Sequence, residues 1–302
     1  MEFRHDDFDI ADKEKFLKRV TKVNKNKSST KYLKGKPYLS VTILSIIIIC
    51  SLCSDIFMTH DPTFMDLNSI NVSPNREFYF GTDSMGRDIF SMIWYGGKIS
   101  LFIGFFATII STSIGVLYGT VSGIFSETID DLMMRITEII LSIPSILIII
   151  FMQGILGNGN VISISIVIGT TSWMNIAKVV RSEVRQIKSR EYIIAAKTMG
   201  GNFLYVLVKH LLPNFIASIM FIVVTNIGSA IGTEATLSFL GIGLPVEIIS
   251  WGSMLSLASG ALLSNYWWII VIPGAFLVIT LVSIANIGNY LRVSSNKKLN
   301  NL

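Results

Sequence analysis

Side chains able to attack, titrate or bind metal are few in this 302-residue chain, and they do not converge. His5, His60 and His210 fall on three separate segments, and no His-Glu-x-x-His run is present to seat zinc on one helix face. Cys50 and Cys53 form a C-x-x-C inside an apolar run. That spacing is open to redox or metal work, but on a transmembrane helix two small packing residues are the simpler reading, and we adopt it. Gly97-Lys98-Ile99-Ser100 has the tail of a phosphate-cradling loop without its leading glycine or a preceding strand. The chain is therefore expected to bind no ATP, metal or cofactor by itself and to be no enzyme. Arg135 and Glu138 fall in the first turns of one span near the cytoplasmic face. Glu234 falls near the outer end of another, where it could orient a loop, touch solute or cap a helix; structural pairing is preferred.

The elements that carry these residues follow from composition. Of the chain 51% is apolar and 15% charged, against about 25% charged in a soluble domain, so an integral membrane protein is expected. The formal net charge of +5 sits in residues 1–37, which hold eleven Lys/Arg against six Asp/Glu. A basic tail beside an apolar run reads as a cytoplasmic membrane flank attracted by lipid, with no nucleic acid involved.

Six transmembrane helices are expected, making an all-α fold. Residues 38–58 form the first, long enough at about 1.5 Å per residue to span roughly 31 Å. It follows a long hydrophilic leader and lacks an Ala-x-Ala end, so it is read as uncleaved. Residues 59–98 form an extracytoplasmic loop, and 99–291 a five-helix core. Within that core, residues 99–126 are free of charge, with Gly104, Gly115, Gly119 and Gly123 at near-helical intervals suited to close packing. Residues 139–177 are too long for one crossing and divide at Gly154-Ile155-Leu156-Gly157-Asn158-Gly159-Asn160. Residues 211–233 and 266–291 complete the set, with Pro144 and Pro273 expected to kink their helices. Of 25 Lys/Arg, 22 fall in the first tail, at Arg135, in residues 178–209, or in the 292–302 tail, which places both termini on the cytoplasmic side. The short acidic segment 127–131, read as a loop, is a local exception of little topological weight.

The loop at about 187–213 is the most informative segment. Arg190-Glu191-Tyr192-Ile193-Ile194-Ala195-Ala196-Lys197-Thr198-Met199-Gly200 reads as a short amphipathic helix stopped by Gly200-Gly201, since glycine accepts the left-handed C-terminal position. A second helix then runs through His210-Leu211-Leu212-Pro213-Asn214 into the next span. By physics alone an ordinary interfacial helix remains an equal reading.

Here the chain resembles a known family. Ala195, Ala196, Gly200, Leu212 and Pro213 lie on the spacing of the Glu-Ala-Ala loop of ABC-importer permeases, with Ile194 in place of the motif's Glu, Glu191 nearby, and His210 as in the peptide-importer branch. Phe80-Gly81-Thr82-Asp83-Ser84-Met85-Gly86-Arg87-Asp88 is similar to the outer-loop signature of the dipeptide, oligopeptide and nickel permeases, specifically the second permease of each pair. Asp61-Pro62, Leu237-Ser238-Phe239-Leu240-Gly241-Ile242-Gly243 and Ser250-Trp251-Gly252 follow in the family's order; Asn289 stands where the family more often has an acidic residue.

The resemblance implies a type I ABC importer permease fold in a bacterial plasma membrane. It implies half of a translocation path for peptides, with nickel or a metal chelate as the alternative solute. It implies as partners a homologous first-type permease, two cytoplasmic ATP-binding subunits, one of which takes the 187–213 loop in a groove through Glu191, Tyr192, Ala195, Ala196 and Gly200, and an extracytoplasmic solute-binding protein. A channel or ion-coupled transporter working without an ATPase is the competing class; the helix-turn loop has no obvious use in a pore alone.

Overall fold

The structure, a computed structural model, describes residues 36–157, 159–258 and 265–299; at 192, 197, 203, 204, 213, 214, 217 and 295–299 it describes the backbone alone. The basic tail up to residue 35 lies outside the described residues. Those described fold almost entirely as helices: α1 Tyr38–Leu52, α2 Ser54–Phe57, α3 Ile89–Ile124, α4 Glu127–Ser142, α5 Ser145–Leu156, α6 Val161–Thr171, α7 Trp173–Ile187, α8 Glu191–Thr198, α9 Phe203–Val206, α10 Leu212–Phe239, α11 Trp251–Ala258 and α12 Trp267–Leu299. A π-helical turn, Leu207–Leu211, joins α9 to α10.

Three helices contain a span long and apolar enough to cross a membrane alone: α3, α10 over Ser218–Phe239, and α12 over Trp267–Ser294. Two more spans exist only if each bent pair counts as one, α4 with α5 at 85° and α6 with α7 at 42°. The first apolar run falls short of the single 38–58 helix expected. Regular helix ends at Leu52, and a four-residue helix follows a break at Cys53.

Where helix bounds depart from charge-free runs, a paired or outward charge explains it. α3 begins at Ile89, not Ile99, because the Asp88 carboxylate accepts the Ser91 amide and caps it, while Lys98 lies on its exposed face. α10 runs beyond Thr233 to Phe239 because Glu234 is buried among hydrogen-bond donors. The acidic 127–131 segment is not a loop but the first turn of α4. Asp130 there accepts two hydrogen bonds of 2.5 Å from the Arg181 guanidinium of α7 and one from Ser122 of α3. Pro144 ends α4 by forcing Ile143 into extended backbone, whereas Pro273 sits inside α12 without ending it. Asn160 opens α6 through a reciprocal capping box with Ser163, after a turn in which Gly157 has φ +76°.

At about 1.5 Å per residue the 36 residues of α3 extend roughly 54 Å, so this helix organises the bundle from end to end. Gly115, Gly119 and Gly123 lie against Ile176, Val180 and Val184 of α7; a Cβ on Gly119 would stand 2.9 Å from that of Val180. The small-residue stripe lets the two backbones approach, which replaces the hydrophobic drive that lipid removes. At the N-terminal end of α3, Ile89, Ile93, Trp251 and Trp268 form an apolar core. At its C-terminal end, Val180, Val184, Ile193, Leu211 and Phe215 form another.

Candidate functional site

The outer-loop signature folds into a closed turn clamped to the start of α3. Gly81 and Gly86 both have φ +74°, and a Cβ on Gly81 would meet the Trp268 ring at 2.9 Å. Asp83 accepts the amides of Met85 and Arg87 at 2.8 and 2.9 Å, and the Arg87 Nε at 2.9 Å. Arg87 Nη2 lies 2.7 Å from the same carboxylate, both side chains being buried. Thr82 pairs with Asp88 in an antiparallel bridge, and its carbonyl accepts the Trp268 indole at 3.2 Å. Asp88 also gathers the hydroxyls of Ser91 at 2.6 Å and Thr59 at 2.9 Å. Charge-assisted bonds of this kind, made away from water, are the strong ones. Apart from Ser84, which is exposed, the polar side chains of the signature are turned into the loop itself, to Thr59 after α2 and to the start of α3, while the Thr82 carbonyl ties in α12. On the exposed side of the same loop, the Ser69 hydroxyl and Asn68 amide hold the Asp66 carboxyl below the usual carboxylate range.

Glu234, on α10, is fully buried and accepts from Ser250 at 2.8 Å, Ser238 at 2.9 Å and Ser100 at 3.4 Å. Ser100 in turn accepts the Trp251 amide at 3.1 Å, so one carboxylate ties α3 and α10 to the start of α11. Gly252 allows that approach; a Cβ there would stand 2.9 Å from a Glu234 oxygen. Glu234 is a structural clamp within the chain.

At the far end of α3, the 187–213 loop forms α8, a sharp turn and α9. Gly200 has φ +83° and the Gly201 amide donates back to the Ala196 carbonyl at 3.0 Å, which together make a Schellman stop. Ile193 is fully buried and Ala196 partly so, both against Val206, Leu207, Leu211 and Phe215. Glu191, Ile194, Ala195, Met199 and Gly200 face outward, with Met199 87% exposed. A cleft of about 600 Å³ runs beside them, lined by Ala195, Ala196, Met199, Gly200, Tyr205 and His210 among others. Leu212 opens α10 and Pro213 occupies its first turn, where a missing amide hydrogen costs nothing; the side chains of Tyr192 and Pro213 lie outside the description. Met199 and Ile194 are the exposed apolar pair; Ile194 stands out in the sequence only as a departure from the motif's Glu, and Met199 carries no signal there because its exposure depends on how the helix docks. The sequence-predicted residues therefore separate into two groups at opposite ends of α3, with none brought into a shared site.

Apolar spans broken at defined points, with a helix-turn presented at one end, define a helical, multi-pass membrane bundle. The fold is similar to that of a chain of the MetNI methionine ABC transporter in an inward-facing conformation. The TM-score is 0.52, covering 69% of this chain and 95% of that one at 17% identity, a likeness of fold alone. Residues 115–294 match the family described as binding-protein-dependent transport system inner membrane component. Among its relatives, the oligopeptide transport system permease protein OppC of Bacillus subtilis is 36% identical, over 86% of this chain and 85% of that relative. The dipeptide transport system permease protein DppC of the same organism is 35% identical, over 85% and 80%. The oligopeptide transport system permease protein AmiD of Streptococcus pneumoniae is 32% identical, over 94% and 90%. The chain belongs to the binding-protein-dependent transport system inner membrane component family, and is a multi-pass membrane permease that works within a transporter complex.

Proposed function

We propose that this chain is the second-type permease of an ATP-binding-cassette importer of peptides, supplying half of the translocation path and the contact through which ATP hydrolysis drives it. The observation that carries the reading is the α8 turn: a helix anchored by Ile193 in the bundle core, stopped at Gly200, with Ala195 and Met199 left facing a cleft at the bundle's end. An apolar, shape-defined surface on a rigid turn suits a groove in another protein, and motion of that protein would be passed directly to α7 and α10. The occupant we assign is one of two cytoplasmic ATP-binding subunits, with hydrolysis in those subunits and none in this chain. A homologous first-type permease completes the path, and an extracytoplasmic binding protein delivers the solute. The relatives named for oligopeptide and dipeptide transport support peptides as that solute. Both termini lie in the cytoplasm, in keeping with the Lys/Arg distribution.

The test is purification of the tagged chain in mild detergent. Retention of two ATP-binding subunits and a second permease, with ATP hydrolysis lost when those subunits are stripped away, is the expected result. Hydrolysis by the chain shown free of other subunits would overturn the assignment, as would quantitative isolation of a functional chain without partners.

A further inference from the structure

Two helix breaks meet beside α10. The α4–α5 bend at Pro144 and the α6–α7 junction at Ser172 open a cleft of about 300 Å³, whose polar lining includes Ser145, Thr171, Ser172, Asn175, Asn226 and Thr233. Ser229 adds a further hydroxyl, and the remaining lining is aliphatic apart from Met174 and Pro144. No carboxylate, ammonium, guanidinium, imidazole or thiol is in it.

Three features distinguish this cleft from an ordinary packing defect. Asn226, Ser229 and Thr233 fall inside the apolar Ser218–Phe239 span, at a depth where polar groups facing lipid are costly. Irregular backbone at that depth is tolerated where it is buried in protein or lines a cavity, and here two breaks border the same cavity. Finally, the lining is unevenly satisfied. Thr171 and Ser172 return their hydroxyls to carbonyls of their own helix, and Asn226 donates to Ser111 at 2.8 Å. Ser145, Asn175, Ser229 and Thr233 make no side-chain hydrogen bond among the described residues, and Asn175 and Ser229 are exposed.

We propose that this cleft is the chain's share of the solute path and that it engages the peptide groups of the solute, not its side-chain charges and not a coordinated cation. The inference rests on the peptide reading above. A primary amide such as Asn175 offers the same donor and acceptor as a peptide group, and hydroxyls rotate to serve as either. A charge-free lining gives acidic and basic residues no site at which to be held or refused. It also lacks the oxygen-anion, imidazole or thiolate ligands on which a divalent cation is normally carried.

The test uses proteoliposomes holding the complete transporter with its binding protein, and three tripeptide probes: Ala-Ala-Ala, Ala-Lys-Ala and Ala-Glu-Ala. Ser229→Asp should lower uptake of the Glu probe relative to the uncharged Ala probe about fivefold against the native ratio, the effect of one charge pair about 4 Å apart in water, and Ser229→Lys should do the same to the Lys probe. A Ser229→Cys variant should react with a water-soluble methanethiosulfonate in the assembled complex. If native complexes carry the probes but both charge variants keep the native ratios, the cleft assignment fails alone. It also fails if the thiol is unreactive with and without ATP, since the face is then sealed against the second permease. Should native complexes carry none of the probes, the peptide reading fails and this inference with it.

Discussion

At the scale of single residues, the ionisable groups within the bundle act as clamps. Glu234 shows the logic: a carboxylate deep in an apolar span is costly unless donors replace its water, and three serines from different segments do so. Glu234→Gln keeps the volume and can still accept, so it should assemble and retain most uptake. Glu234→Ala leaves a cavity and orphaned hydroxyls, and should cost on the order of 3 kcal/mol, read as a lowered thermal unfolding midpoint in detergent. Equal behaviour of the two variants would contradict the clamp. Asp130 makes a parallel case. Asp130→Asn should remove the charge-assisted pair with Arg181 while Asp131 and Glu138 remain near, and cost about 1 to 2 kcal/mol, less than a fully buried broken pair because the Arg181 and Arg185 side chains are 25% and 40% exposed.

At the scale of elements, the glycines do two different jobs. Gly119 must be small because α7 is close, whereas Gly200 must be glycine because of its positive φ, with open space around it. Gly200→Val should therefore cost roughly 1 to 2 kcal/mol locally. It should insert in the membrane normally and lower uptake together with solute-stimulated ATP hydrolysis; unchanged uptake would contradict the turn's role. Ala196 is partly turned toward the chain's own core, so a bulky residue there would strain α8 itself, and Ala195 or Met199 is the cleaner probe of an outside contact.

The sequence showed the turn at Gly200, the dividing turn near Gly157 and the glycine stripe on α3 because each depends on local spacing. It could not show that Asp130 meets Arg181, fifty-one positions away, or that Ser100 and Ser250 meet Glu234, because those partners come together only after the bundle forms. For the same reason, reading helix ends from charge-free runs stopped short at Ile99 and Thr233. A charge that is capped, paired or turned outward does not end a helix. The cleft at Pro144 and Ser172 is likewise invisible locally: its two breaks lie on separate spans, and its lining residues look like routine Ser, Thr and Asn.

At the scale of the whole molecule, α3 separates a turn clamped by the buried Arg87–Asp83 pair from an end where an apolar helix-turn is presented outward. If these are the two sides of the membrane, a Cys replacing exposed Ser73 should react with an impermeant thiol reagent in intact cells, while one replacing exposed Ser189 should not. Labelling at Ser189 alone would invert the topology. The central claim is that the α8 turn receives the stroke of an ATPase. It is tested most directly by a crosslink between Met199→Cys and the ATP-binding subunit, measured in the same membranes as peptide uptake. A crosslink to that subunit in high yield is expected, with uptake and solute-stimulated ATP hydrolysis falling together as it forms. Uptake that continues at the native rate with the crosslink complete, or a Met199→Cys thiol that stays fully reactive to a soluble reagent in the assembled transporter, would contradict it.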